Sequence, residues 1–199
     1  MTSMPAEFPS RNPTEVRLLA VAREITSRVG YDGLTMKEVA DRAAVARVTV
    51  YHYFGNKDRL LAEIAADLEA EVLGELERLR LRTRDPAARI ARRLTVAMTY
   101  LLREPLLLNA VLTVAMGEQG HRVFLRQDDS SPVWHLLEAE LRVWPKGQAQ
   151  RLGRIFGHLL HSSLLSVSSG AMSVKQAEED LKLAGRLLFE GMQAGLNKR

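Results

Sequence analysis

The 199-residue sequence predicts an all-α protein in two parts, a small three-helix unit followed by a larger helical body. Three observations predict it. Apolar residues recur at helical spacing through almost the whole chain. Helix-starting residues (Asn, Thr, Asp, Ser) precede these stripes, and Gly or Pro follows them. Strand-like alternation of useful length, a glycine-rich phosphate loop and an internal repeat are all missing from the sequence.

Residues 1–12 contain Pro, Ser and Glu but no apolar stretch, so they read as a disordered arm rather than a secretory signal. Asn12 caps a helix whose first turn holds Pro13. Its stripe is Leu18, Ala22, Ile25 and Val29, and Gly30-Tyr31-Asp32-Gly33 stops it. Arg11, Arg17 and Arg28 lie on this helix or just before it, where such residues are more often solvated than bound to phosphate. Thr35 caps the next helix, and Glu38 is spaced to complete a capping box. Met36, Val39, Ala40 and Ala43 form its buried stripe. A second short helix spans about Ala46 to Tyr53, with Val50 and Phe54 pointing inward. Arg47, Val48, Tyr51 and His52 share another arc, adjacent on the helix surface.

That second arc carries a guanidinium, a branched methyl pair, a phenol and an imidazole. Such groups reach base edges and phosphates in a DNA major groove. Two short helices with a tight turn and this outward face make a helix-turn-helix with a recognition helix. The bland alternative is a plain helical hairpin with a mixed surface.

The run Gly33-Leu34-Thr35, Val39-Ala40, Thr49-Val50-Tyr51-His52-Tyr53-Phe54, Asn56-Lys57 and Leu60-Leu61 resembles the DNA-binding domain of TetR-family transcriptional regulators. The likeness spans about Thr14 to Leu61, with the spacing intact. It implies that Thr35 and Lys37 approach the DNA backbone. Arg47, Val48, Thr49, Tyr51 and His52 would face the groove, and Tyr53 and Lys57 would hold flanking phosphates. Three positions depart from the family pattern. Ala44 stands where the turn usually has Gly, Ala46 where the recognition helix usually begins with Ser or Thr, and Val48 where Gly is common. The first resists a left-handed turn, the second removes a capping hydroxyl, and the third places a branched side chain near the bases.

The body begins with a long helix capped by Asn56, spanning about Lys57 to Arg82. Its stripe is Leu60, Leu61, Ile64, Leu68, Val72, Leu76 and Leu79, with acidic residues early and Arg78, Arg80, Arg82 and Arg84 late, as the helix dipole favours. Asp85-Pro86 opens a helix to about Arg103 with Ile90, Leu94, Ala97, Met98, Leu101 and Leu102 inward. After Pro105, Leu106 to Met116 is nearly all apolar and reads as buried on most sides. A short piece over His121 to Arg126, a polar loop, and a helix from Ser131-Pro132 to about Val143 follow. Gln148 to Ser168 and a last helix capped by Ser173 with Gln176 complete the chain. The apolar faces of these two include Leu160 and Leu164 on the first, and Leu181 and Leu188 on the second. Such a pair suits a four-helix bundle with a symmetry mate. Burial within one protomer is the alternative. The resemblance favours the dimer, because TetR-like proteins dimerise through such a pair and a reader of this kind usually spans two half-sites.

Composition narrows the rest. The chain has no cysteine, hence neither disulfides nor a thiolate metal site. No apolar run approaches the roughly 18 residues of a membrane span, so the cytoplasm is the expected location. A net charge of +4 permits a nucleic-acid partner without requiring one. His158 and His161 are three apart with no carboxylate within a turn, so they read as a polar seam rather than a metal site. The serines at 162, 163, 166, 168 and 169 lack a base and orienter, so no catalytic residue is assigned and no cofactor is expected. The family resemblance implies a small-molecule effector in the body. Met98, Met116, Phe124, Trp134, Phe156 and His161 are the candidate lining of an apolar pocket, although each alone is more often core. No buried charge pair stands out to demand a charged ligand.

The expected organisation is a DNA-binding domain over 1–54 and a ligand-binding and dimerisation domain over 55–199. The expected function is a dimeric one-component regulator that binds a palindromic double-stranded DNA operator as a repressor and is released by an apolar effector. A regulator of the same fold without a ligand, controlled by abundance or a protein partner, and an all-helical enzyme are the rivals.

Overall fold

The computed structural model describes residues 11–117, 136–137 and 140–196, with side chains placed as far as Gly191. Among these residues the secondary structure is helical throughout: α1 (Pro13–Gly33), α2 (Met36–Arg42), α3 (Arg47–Phe54), α4 (Lys57–Arg78), α5 (Pro86–Leu101), α6 (Pro105–Met116), α7 (Lys146–Ser168) and α8 (Val174–Leu196). Residues 136, 137, 140 and 141 are helical as well, inside the stretch where a helix to about Val143 is expected. The arm over 1–10 and the piece over His121 to Arg126 lie outside the described residues.

The caps form where the sequence places them. Asn12 accepts from the Glu15 amide, Thr35 from Glu38, Asn56 from Arg59, and Asp85 from Ala87 and Ala88. At α8 the capping box is reciprocal. The Gln176 side chain accepts from the Ser173 amide at 2.9 Å, and Ser173 Oγ accepts from the Gln176 amide at 3.2 Å. At α2 only half the box is made, because the Glu38 carboxylate turns to Arg42 instead.

Several expectations change. The helix α4 ends at Arg78, not near Arg82. Leu79 is already extended, and its amide closes the helix on Leu76 O at 3.2 Å. In α1 the stripe does not reach Val29, which is 49% exposed. Gly30 takes φ 68° and kinks the chain one residue later, and Thr26 and Gly30 are buried where the stripe ends. Helix α6 is buried over its middle, yet Leu106 and Met116 at its two ends are exposed. A buried charge is also present, contrary to expectation. Glu140 is 4% exposed and is clasped by Arg89 at 2.9 Å and Arg93 at 3.0 Å. The sequence hint was two arginines four apart on α5, and it has meaning only once α5 faces the helical segment around Leu137 and Leu141.

Two apolar cores result. The first gathers Leu18, Ile25, Leu34, Val39, Val50 and Phe54 with Leu60, Leu61, Ile64 and Leu68 of α4, and adds Leu107, Ala110, Val111 and Val114 of α6. The second holds Val72 and Leu76 of α4, much of α5, Leu108 and Leu112 of α6, and the inner faces of α7 and α8. Both α4 and α6 therefore contribute to each core. Helix α8 lies close along α5, and a side chain at Gly185 would meet the Ala87 carbonyl oxygen at 3.1 Å. Trp144 meets Phe189 edge to face, with centroids 5.4 Å apart.

The four leucines assigned to dimerisation are differently placed. Leu160, Leu164 and Leu181 are buried in the protomer, and Leu188 is half-buried. Among the described residues, the large apolar side chains left outward on α7 and α8 are Ile155, Val174, Leu183 and Leu187, the last 61% exposed.

Candidate nucleic-acid interface

The turn between α2 and α3 decides where the exposed face points. Ala43 ends α2, and Ala44 has φ 51°, the one positive φ outside glycine among the described residues. The Ala44 amide donates to Asp41 O at 3.2 Å and the Val45 amide to Ala40 O at 3.1 Å. This is a Schellman closure with alanine at the position glycine usually takes. Ala46 then opens α3 in extended conformation with no side-chain cap.

Val50 and Phe54 are buried and clamp α3 to α1 and α4. With that face pinned inward, Arg47, Val48, Tyr51 and His52 are exposed and Thr49 is half-buried. Val48 is 73% exposed, an apolar group in water with no packing role in the protomer. Arg47 Nη2 donates to Tyr51 Oη at 3.0 Å, and its guanidinium lies 5.3 Å from the Tyr51 ring centroid. The pair holds both long side chains along one edge of the helix.

The flanking residues are less free. Asn12 Nδ2 donates to Tyr53 Oη at 3.1 Å, which ties the start of α1 to the end of α3. Lys57 Nζ donates to Tyr31 O at 3.0 Å and sits 3.8 Å from the Tyr31 ring centroid. Tyr31 in turn donates to Asp58 at 2.8 Å, a bond that raises the phenol's pKa. Lys57 thus staples the end of α1 to the start of α4 and retains two of its three donors. Thr35 is spent on capping α2, with its amide neighbours at the helix start. Lys37 is exposed and pairs with Asp41 at 2.9 Å. Arg11 pairs with Glu63 and Asp67 of α4, and Arg28 pairs with Glu24. Those pairs keep the Arg11 guanidinium charged against the cost of its partial burial.

A second polar constellation, which sequence reasoning missed, joins this unit to the body. Arg23 of α1 pairs with Glu71 of α4 and, at 2.6 Å, with Glu104 before α6. Ser27 donates to Glu104, and Tyr100 donates to Glu71 at 2.8 Å. Hydrogen bonds from Arg23 hold both carboxylates below their usual pKa, and the same bonds raise that of Arg23. Only the tertiary fold brings residues 48 and 81 positions from Arg23 together, so spacing could not have shown it.

The candidate pocket residues do not converge among the described residues. Met98 and Phe156 are fully buried core, Met116 is exposed at the end of α6, and His161 is half-buried. Phe124 and Trp134 lie outside the described residues. A cavity of about 230 Å³ is lined by Leu68, Tyr100, Leu101, Arg103, Glu104, Leu107 and Leu108 instead. No cluster of three metal-binding side chains occurs among the described residues.

With this geometry in view, residues 18–64 match the sequence profile of the bacterial regulatory proteins, tetR family. The chain carries a TetR-family DNA-binding domain. The HTH-type transcriptional regulator UidR of Escherichia coli is 35% identical over 74 residues, 37% of this chain and 34% of that protein. The HTH-type transcriptional repressor AcnR of Corynebacterium jeikeium is 35% identical over 51 residues, 26% of this chain and 27% of that protein. The chain therefore spans about a third of the length of the curated relatives it matches. A TetR transcriptional regulator from Rhodococcus sp. shares the fold with TM-score 0.72 and 24% identity, over 88% of this chain and 94% of its own. A TetR variant from Acinetobacter baumannii, crystallised with minocycline, superposes with TM-score 0.62 and 20% identity, over 89% and 94% of the two chains. The two curated relatives and the Rhodococcus neighbour are named as transcriptional regulators. The helical body thus follows the TetR architecture as well as the reading head does.

Proposed function

We propose that this chain is a dimeric one-component repressor that binds a palindromic DNA operator in the cytoplasm and leaves it when a small, largely apolar effector binds the body. The observation that carries the DNA reading is the outward face of α3. Arg47, Val48, Tyr51 and His52 are exposed together while Val50 and Phe54 anchor the opposite side. An arginine fork suits guanine, and a valine suits a thymine methyl group. Thr49 completes the groove face. Thr35, Lys37, Tyr53 and Lys57 flank it, where they contact phosphates.

Dimerisation sets two such faces at the half-site spacing of about 34–36 Å. The outward Ile155, Leu183 and Leu187 of α7 and α8 supply the apolar surface for it. The effector acts by favouring protomer arrangements that miss this spacing. A relative named as a repressor and a structural neighbour crystallised with a small molecule support the finer reading.

The test is titration of the full chain against genomic fragments and then a defined palindrome. Tyr51→Ala should weaken binding with the dimer intact. Lys57→Ala should weaken all sequences alike and lower the salt slope by about one unit. An unchanged slope would remove Lys57 from the phosphate contacts, and binding unaffected by Tyr51→Ala would remove α3 from the groove.

A further inference from the structure

The cavity at the junction of head and body has a distinctive chemistry. Its walls are leucines from three helices: Leu68 of α4, Leu101 of α5, and Leu107 and Leu108 of α6. Three of them, Leu68, Leu107 and Leu108, are almost wholly buried. Its polar members are Tyr100, Arg103 and Glu104. Two of those are already committed. Tyr100 donates to Glu71. Glu104 accepts from Arg23 with one oxygen and from Ser27 with the other. Arg103 is different. Its guanidinium stacks on the Tyr100 ring, 4.6 Å from the centroid, and no carboxylate pairs with it among the described residues.

We propose that this cavity is a binding site for a small apolar monocarboxylic acid, its carboxylate on Arg103 and its hydrocarbon or aromatic part among the four leucines. A guanidinium presents a planar fork that matches a carboxylate with two parallel hydrogen bonds. Both Glu104 oxygens already accept hydrogen bonds, from Arg23 and Ser27, so the uncommitted charge in the lining is the Arg103 cation. A neutral apolar ligand would gain nothing from the Arg103 fork, which water already solvates at its exposed position. The volume of about 230 Å³ is below the roughly 300–1,000 Å³ of sites for drug-sized molecules, so the acid is small. Tyr100 and Glu104 both line the cavity and tie Arg23 to the body, so occupancy bears directly on the head–body joint. That last consequence rests on the DNA-binding function proposed above; the site itself does not.

The experiment is calorimetric titration of the DNA-free full chain with hexanoate and with benzoate, using hexanol and hexylamine as matched controls. At least one acid should bind, and both controls should bind at least tenfold more weakly. Arg103→Gln, a change at an exposed position, should weaken the acid at least tenfold with an unaltered melting curve. Arg103→Lys should fall between the two. The proposal is overturned if neither acid binds at millimolar concentration, if hexanol binds as tightly as hexanoate, or if Arg103→Gln binds the acid like the wild type. Operator binding is measured separately by fluorescence anisotropy. A chain that binds acid but no DNA refutes the regulator and leaves the site standing, and the reverse result does the opposite.

Discussion

Ala44 holds a backbone conformation that an L side chain resists. A non-glycine residue at positive φ costs roughly 1–2 kcal/mol, and the Schellman bonds around Ala44 hold it there. Ala44→Gly should therefore raise stability by about 1 kcal/mol, less a partial offset from a more flexible unfolded chain. Two residues on, Ala46 opens α3 with no side-chain acceptor for the free amides. Ala46→Ser should supply one, worth roughly 0.5–2 kcal/mol, at a helix N-terminus that a DNA phosphate would approach. Ala46→Ser should raise both Tm and operator affinity, whereas Ala44→Gly should chiefly raise Tm. Melting curves and binding at one salt concentration check both; a lower Tm for Ala46→Ser would place the start of α3 elsewhere. These two positions were legible in the sequence, because turn chemistry is local. The part-time role of Lys57 was not. Its bond to Tyr31 spans 26 residues and depends on the kink at Gly30.

Among the elements, α1, α4 and α6 are joined by Arg23, Glu71 and Glu104. The two carboxylates titrate below their usual pKa of about 4.3 in this network. Groups with depressed folded pKa values stabilise the fold above their unfolded pKa and lose that contribution as pH falls through the folded value. Arg23→Met should therefore cost most near neutral pH, and the stability gap to wild type should close below about pH 4. The pairs are partly exposed, so each is worth at most about 1 kcal/mol. Urea unfolding of both proteins at neutral and acid pH checks this. A gap that stays constant with pH would mean the arginine acts by packing alone. The helices themselves were readable from period and caps, and most ends fell within a residue or two. The exception, α4, shows the limit. Leu79 satisfies the apolar stripe and still packs on the body core, yet its backbone has left the helix. Periodicity registers burial and does not register the turn that follows.

At the scale of the whole molecule, the apolar residues of α7 and α8 separate into two sets that sequence could not tell apart. Leu160, Leu164 and Leu181 are core; Ile155, Leu183 and Leu187 are outward. Both sets obey the same helical period, and only the packing of the helices decides which faces inward, on α8 through the close approach of Gly185 to Ala87 of α5. Leu187→Glu should dissociate the proposed dimer while the protomer stays folded, with a stability change within about 0.5 kcal/mol for the monomer. Leu164→Glu should unfold the protomer, because it buries an unpaired charge. Sedimentation and circular dichroism on the two variants distinguish these outcomes. A Leu187→Glu protein that remains dimeric would move the interface off this face.

The double membership of α4 and α6 also constrains how such a chain can change over evolutionary time. A DNA reader cut at residue 54 would carry away α1 to α3 and leave behind Leu60, Leu61, Ile64, Leu107 and Val111, the side chains that complete its core. Each fully buried leucine or isoleucine is worth about 1.5–3 kcal/mol, so neither fragment keeps what it needs. New operator preferences can arise by exchanging the exposed residues of α3. New pairings of reader and body must instead keep one face of α4 and α6 complementary to the reader and the other complementary to the body.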